Sequence, residues 1–540
     1  MTVAQEYLDA ILNRGRAGME PIGFEPDWAD RPRKEKTYHD AESFPLPPGD
    51  GLGLGPLDDG LFGPGPGRAA AGAPQGKPFT LATLGGLLLD SYGQLTRRLA
   101  VHANADVPAM PRYTSANWSR GTSSGGGLYP VSIYWVSGPN GPLTPGIYHY
   151  SPPHHAMRRL LTGDVTGEVR AAVGDPALLG GTDQFLVLGI KFWQNAFKYN
   201  SFSYHAVTMD IGTLIQTWRM WARAQGLRVK PVLWFDELRL GRLLGVASAD
   251  EGVFAVAPLA WRGDPAAAPR REVSGGHGGQ PRVRYTEAER SRTVLTFPTL
   301  RDMHAATIVG PAVRPPALEG SATVTPRVTG QVVALPPRQP MTIGIRDALR
   351  ARRSSFGRFS SRTSMDTGQL STVLAAAMSG AAFPCDVHDE HAPALAKIYV
   401  FASHVDGVEP GGYEYDAASN ELRVVKRGPP GEFLQRNYFL ANYNVEQAGA
   451  VIVVTTPSAA VLRAAGDRGY RLANATIGAV AQAVYTACAA LGLGCGAALG
   501  FDNVSYIEEL ALAGTGQAPL LIIMVGAEGR PCASFRYEIA

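Results

Sequence analysis

The sequence lacks any hydrophobic run of membrane-spanning length. Apolar stretches such as Leu520 to Val525 and Val451 to Val454 fall far below the roughly 18 residues needed to cross a bilayer, and they read as buried strands. An excess of charge of either sign is also missing. With 18% charged residues and a net charge of +3 over 540 residues, no electrostatic footprint points to nucleic acid or to an acidic membrane face. Cysteine is scarce: Cys385, Cys488, Cys495 and Cys532 have neither CxxC spacing nor a clustered histidine partner. That argues against zinc, iron–sulfur clusters and a disulfide framework, so no metal site is expected and most of the cysteines read as small core fillers. The N-terminus, MTVAQEYLDAILNRGRAG, carries acidic residues and no apolar signal-peptide core, which predicts a cytoplasmic protein.

What is present is apolar material for two or three globular domains, since 45% of the residues are hydrophobic, and disorder and collagen are excluded. Two stretches, roughly Leu46 to Lys77 and Arg262 to Pro340, are dense in Gly, Pro and Arg and read as linker or extended wrapping segment. They divide the chain into an N-terminal extension (1–78), a first domain (79–261), a linker (262–340) and a second domain (341–540).

The two domains are copies of each other. Ile211, Gly212, Gln216, Ala224, Gly226, Leu227, Phe235 and Asp236 recur as Ile477, Gly478, Gln482, Ala490, Gly492, Leu493, Phe501 and Asp502, every one 266 residues later, as does Tyr204 in Tyr470. Upstream the offset is 265: Ile133, Tyr134, Pro145, Gly146, Tyr148 and Tyr150 recur as Ile398, Tyr399, Pro410, Gly411, Tyr413 and Tyr415. A fixed register holding Gly, Gln, Phe and Asp together marks an internal duplication, and hence a covalent pseudo-dimer. Each repeat runs apolar strand, Tyr-rich hairpin, buried strand, long amphipathic helix, Gly-rich turn, last strand, which is an α+β order. In TIGAVAQAVYTACAALGLG small residues recur at three- and four-residue steps and Gly492 supplies the stop. A helix so rich in Ala and Gly packs close to a neighbour, here expected to be its own copy in the other half.

Several motifs can carry chemistry. In ARRSSFGRF, Arg352, Arg353, Ser354 and Arg358 could bind a phosphate through forked guanidinium groups and a hydroxyl, or stand as a solvated charge cluster. In SSGGGLYP, Ser123, Ser124, Gly125, Gly126 and Gly127 offer backbone that can approach a planar ring or turn N–H groups toward an anion, or simply make a tight turn. Lys198 and Tyr199 in FKYNSFSYH could transfer a proton once desolvated, or be surface and packing residues.

Together with GIYHYSPPHHAMRRL and LGLGCGAALGFD, these segments resemble the nitroreductase superfamily, and within it the SagB-type dehydrogenases that oxidise thiazoline and oxazoline rings in ribosomally made peptides. The resemblance covers most of both halves and implies two nitroreductase-like domains in tandem with FMN as cofactor. It implies that Arg352, Arg353, Ser354 and Arg358 hold the flavin phosphate, although one extra residue separates Ser354 from Arg358. Ser123 to Gly127 would contact the flavin, as would a turn at Gly494 and Cys495. Arg530 is either a further phosphate-binding residue or a solvated C-terminal arginine. Lys198 and Tyr199 match the catalytic Lys-Tyr pair of the azoline dehydrogenases, but Asn200 and SFSYH follow where the family has a Gly and an Arg-Gly-Tyr-Arg segment. His154 and His155 read as structural.

Each half has lost what the other keeps. Counting 265 from Gly126, Gly127 and Leu128 lands on His391, Ala392 and Pro393, and counting 266 from Lys198 and Tyr199 lands on Ala464 and Ala465, while no Arg-Arg-Ser run precedes the first-half segment TLATLGGLLLD. One complete composite site is therefore expected. The resemblance implies an FMN-dependent azoline dehydrogenase acting on a peptide beside a cyclodehydratase. Reduction of a nitro group, quinone or dehydroamino acid, or a non-catalytic scaffold role, are the alternatives. No leader-peptide clamp is recognisable, so a partner is expected to supply leader binding; the pseudo-dimers could pair further, and no nucleic-acid or membrane partner is expected.

Overall fold

The duplication is geometric as well as textual. The computed structural model describes residues 1–50, 52–64, 79–102, 112–246, 249–261, 281–308, 310, 313–316, 318, 331–389, 392–529 and 535–538. They form a three-stranded sheet, Phe535–Glu538, Thr96–His102, Arg112–Ser119, and two seven-stranded antiparallel sheets whose strands follow the same spatial order. The first runs Glu42–Pro45, Ala156–Thr162, Gly146–Ser151, Val131–Ser137, Gln184–Lys191, Glu251–Trp261, Leu227–Val229. The second runs Val332–Ala334, Glu421–Arg427, Gly411–Asp416, Lys397–Ala402, Ala450–Thr456, Ala518–Gly526, Gly494–Ala498. Repeat-equivalent details persist down to single hydrogen bonds: Tyr148 donates its hydroxyl to the Thr144 carbonyl, and Tyr413 does the same to Glu409. The central strands Val131–Ser137 and Ala450–Thr456 are buried at every position.

Between the sheets lie the two long helices, Ser203–Gln225 and Gly469–Ala490. The first stops at Gly226, whose left-handed φ of 75° suits glycine. Repeat-equivalent residues meet across the contact. Tyr204 and Tyr470 pack ring to ring at 6.3 Å between centroids, and Asn474 donates to Thr208 Oγ1 at 2.9 Å. A pseudo-twofold axis therefore runs along the helix pair. Backbone approach is closest at the duplicated glycines: a Cβ on Gly212 would strike the Ala475 carbonyl oxygen, and one on Gly478 would strike that of Met209. The second helix is long and apolar enough to span a membrane by composition, but 94% of its most apolar window is buried inside the fold.

The segments flanking the domains hold more structure than their composition suggests. Glu42–Pro45, in the N-terminal extension, and Val332–Ala334, in the linker, form the outermost strand of their respective sheets. Helix Val3–Asn13, started by a Thr2–Gln5 capping box, sets the Tyr7 ring edge-on to both Tyr204 and Tyr470, over the pseudo-twofold. The linker helix Pro298–Thr307 buries Leu300, Met303, His304 and Thr307. It meets a buried ion cluster in which Arg471 Nη1 of the second half bonds Glu237 Oε2 of the first at 2.9 Å, with Arg471 Nη2 on Thr307 Oγ1. Breaking such a buried group by removing one charge is strongly destabilising. Cys385, Cys488 and Cys495 are buried and free, in keeping with their reading as core fillers, and Cys532 lies outside the described residues.

The glycine crossing gives a direct test. Gly212→Val and Gly478→Val each force the helix backbones apart and should each cost about 1–3 kcal/mol or more, measured as a drop in the denaturant midpoint. Similar losses from the two variants are expected because the positions are related by the pseudo-twofold.

Candidate active site

A cavity of about 1550 Å³ lies against the long helices and draws its walls from both halves. From the first half come Ser123 to Gly127, Lys198, Tyr199 and Asp210; from the second come Arg352, Arg353, Ser354, Arg358 and Tyr485. The N-terminal extension adds Arg14, Met19 and Lys34.

The glycine loop is shaped by bonds to both long helices. Gly126 and Gly127 hold φ values of 63° and 65°, which glycine adopts without the Cβ penalty. Ser124 Oγ donates to Asp210 Oδ2 at 2.6 Å and the Gly125 N–H donates to Asp210 Oδ1 at 2.8 Å. From the other half, Gln482 Oε1 accepts the Ser123 N–H and hydroxyl, both at 2.9 Å. Lys34 Nζ donates to the Gly127 carbonyl at 3.0 Å. Burial, reinforced by Arg120, holds the Lys34 ammonium below the usual lysine range.

Lys198 and Tyr199 occupy the last turn of helix Trp193–Tyr199, which ends because Asn200 turns to φ 43°, ψ −134°. They face the glycine loop. A Cβ on Gly126 would run into the Tyr199 hydroxyl and lie 2.9 Å from Lys198 Nζ. Lys198 Nζ also sits 4.7 Å from the Tyr199 ring centroid.

The opposite wall is cationic. Helix Ile345–Ala351 delivers Arg352 at its C-cap. Arg352 Nη2 donates to the Arg120 carbonyl at 2.9 Å, Arg353 pairs with Glu528, and Ser354 Oγ lies 3.0 Å from the Tyr485 hydroxyl. Burial pushes that Tyr485 phenol up to about 12, so it stays a neutral donor and acceptor. Arg352 Nε, Arg353 Nη1 and Arg358 Nε are buried without a protein partner. Unsatisfied guanidinium N–H groups in one wall are costly unless an anion meets them, so these residues fit a phosphate.

Not every expected residue lines the cavity. Gly494 and Cys495 are the first residues of strand Gly494–Ala498 rather than a turn, and the lining from that segment comes from Gly492 and from Ala497 to Gly500 instead. Cys495 has a bracing position: its N–H donates to Ser355 Oγ and its carbonyl accepts from the Ser355 N–H, both at 2.9 Å. Arg530 lies outside the described residues. His154 and His155 bond Ser151 and Tyr150 within their own turn, consistent with a structural place. Asp210, Gln482, Tyr485 and Lys34 escaped the sequence reading of the site. The available signal for Asp210 was a mismatch inside the repeat, since Thr476 stands 266 residues later.

The duplication-related position holds a cavity of only about 70 Å³. Of its lining, Arg219 is the repeat equivalent of Tyr485, and Pro384 and Asp389 are the equivalents of Ser119 and Ser124. Arg219 bonds Gln216 Oε1 at 2.6 Å and the Ala382 carbonyl at 3.3 Å, filling the space. Sites for small organic ligands need a few hundred Å³, so among the described residues this position offers no room for a ring of flavin size.

Residues 349–527, which carry the arginine wall and the second long helix, match the Nitroreductase family. A putative nitroreductase from Anabaena variabilis superposes on 98% of this chain and 99% of its own, with a TM-score of 0.71 and 21% identity. The fold is therefore two nitroreductase-like domains in tandem. A putative nitroreductase from Ralstonia eutropha shares 18% identity over 40% of this chain and 95% of its own, at a TM-score of 0.28. The Escherichia coli microcin synthetase McbBCD complex with truncated pro-MccB17 bound gives 20% identity, 34% and 65% coverage and a TM-score of 0.27. Scores that low carry no functional weight. No curated protein matches the sequence.

Within this cavity the Asp210 carboxyl is raised by desolvation from 3.8 to about 7, against the opposing bonds from Ser124 and Gly125. The folded state thus binds a proton that the unfolded chain releases, and stability falls as pH rises from about 4 to about 7. Asp210→Asn removes that dependence. Measured by chemical denaturation, its stability relative to the native chain should climb by up to about 1.4 kcal/mol per pH unit across that window and level off above it.

Proposed function

We propose that this chain is an FMN-dependent dehydrogenase that aromatises a thiazoline or oxazoline in a ribosomally made peptide, supplied by a partner cyclodehydratase. One observation carries the reading: the Lys198–Tyr199 pair stands against the glycine loop, in the same cavity as a wall of guanidinium groups with unsatisfied N–H donors. Arg352, Arg353, Ser354 and Arg358 would hold the flavin phosphate, and Ser123 to Gly127 would approach the ring. When bound, FMN would supply the acceptor for the hydride leaving the azoline.

The chain's own residues have the proton to manage. Lys198 as the neutral amine, or Tyr199 as the phenolate, would take the ring proton, which requires one of them to sit within hydrogen-bond reach of the substrate carbon. Arg14, Met19 and Lys34 line the cavity from the N-terminal extension. Asn200 adds support. It stands where the azoline dehydrogenases have a glycine, and it keeps a backbone shape of φ 43°, ψ −134° that costs a non-glycine residue about 1–3 kcal/mol. Its side chain offsets part of that by accepting the Phe202 N–H at 3.1 Å.

A second reading, another FMN-dependent reduction, is favoured by the cavity's size: about 1550 Å³ exceeds the ordinary ligand range of roughly 300–1,000 Å³ and could admit varied substrates. A scaffold without catalysis is the remaining alternative. Flavin content by absorbance and mass separates these. One FMN per chain, lost in Arg353→Ala and Gly126→Trp, is expected; two per chain would overturn the single composite site, and none would favour the scaffold. Lys198→Ala should keep its FMN and oxidise azoline peptides at least about 100-fold more slowly, while undiminished turnover would remove Lys198 from the mechanism.

A further inference from the structure

The two repeats offer an internal comparison that isolates what the glycine loop depends on. The first half keeps the loop and has Asp210 and Thr213 on its long helix; the second has lost the loop and has Thr476 and Ala479 at the equivalent positions. In the first half both side chains touch the loop. Asp210 accepts from the Gly125 N–H and the Ser124 hydroxyl, at 2.8 and 2.6 Å, and Thr213 Oγ1 donates to the Ser123 carbonyl at 2.9 Å. Ser124 Oγ in turn accepts the Tyr129 N–H at 2.9 Å, so the carboxylate's hold extends through one hydroxyl to the far end of the loop. Gln216 and Gln482, which are not specific to the loop, persist in both halves. Burying a carboxyl is costly, and the copy without a loop to hold has none.

We propose that Asp210 is a positioning residue that holds Ser124 to Gly127 from below and so sets Gly126 against the Lys198–Tyr199 pair. It rests on the flavin reading only for its consequence, that loop placement controls how firmly the ring is held. The loop's left-handed glycines confer no stiffness of their own. Without the carboxylate, the Gly125 N–H and Ser124 hydroxyl lose their acceptors, and the loop is free to shift toward or away from Tyr199, a side chain it already approaches closely.

The test compares native chain, Asp210→Ala, Asp210→Asn, Asp210→Thr and Ser124→Ala by hydrogen–deuterium exchange of the peptide spanning Ser123 to Gly127 and by the FMN dissociation constant. Asp210→Ala, and Asp210→Thr carrying the residue of the other half, should raise loop exchange at least tenfold with and without FMN, weaken FMN at least tenfold and shift the bound flavin's visible absorption bands. Asp210→Asn keeps an acceptor for the Gly125 N–H and should restore loop protection and affinity to within about threefold, with Ser124→Ala between the extremes. Native-like loop exchange in both Asp210→Ala and Asp210→Thr would overturn the proposal. Failure of the native chain itself to bind FMN would sink the flavin reading alone, because loop exchange reports on Asp210 without the cofactor.

Discussion

The close crossing of the two long helices at Gly212 and Gly478 is the constraint on which the rest of the structure depends. Backbone meets backbone there, so the halves can adopt one separation and one angle. The cavity is a product of that contact. Met209, Asp210 and Thr213 of one helix and Gly478, Ala481 and Tyr485 of the other all face it, and the glycine loop is strung between Asp210 and Gln482, one from each helix. A shift of an ångström at the crossing would pull the loop from one of its anchors.

Around this symmetric spine the functional features are distributed asymmetrically. Loop, carboxylate and Lys-Tyr pair belong to the first repeat; the arginine wall and Tyr485 belong to the second. The buried cluster of Glu237 with Arg468 and Arg471 ties the repeats to the linker helix, while Tyr7 closes the axis from outside. The segments outside the repeats are thus structural partners of the spine.

Much of this was legible in the sequence, because duplication converts register into geometry. The offsets of 265 and 266 residues located matching strands and helices, and the complementary motifs foretold walls from both halves. Arg352, Arg353, Ser354, Arg358, the glycine loop and Lys198–Tyr199, which all line the cavity, were visible because each is a local pattern. What stayed hidden depends on distance along the chain. Lys34 reaches the loop from 93 residues away and Gln482 from 359, spacings that leave no local trace. The turn that the resemblance implied at Gly494 and Cys495 is a strand instead, because pairing with Ala518–Gly526 draws these residues into the sheet. Composition misled in the flanks, where an edge strand such as Val332–Ala334 is too short to announce itself.

Arg219 shows what a single polypeptide permits. In an assembly of two identical subunits, every substitution appears twice, so a guanidinium that plugs one cavity would occupy the other as well. Here Arg219 fills the small cavity while its counterpart, Tyr485, lines the large one. Joining the copies in one gene lets each position mutate independently in each copy, so one cavity can be narrowed without closing its twin.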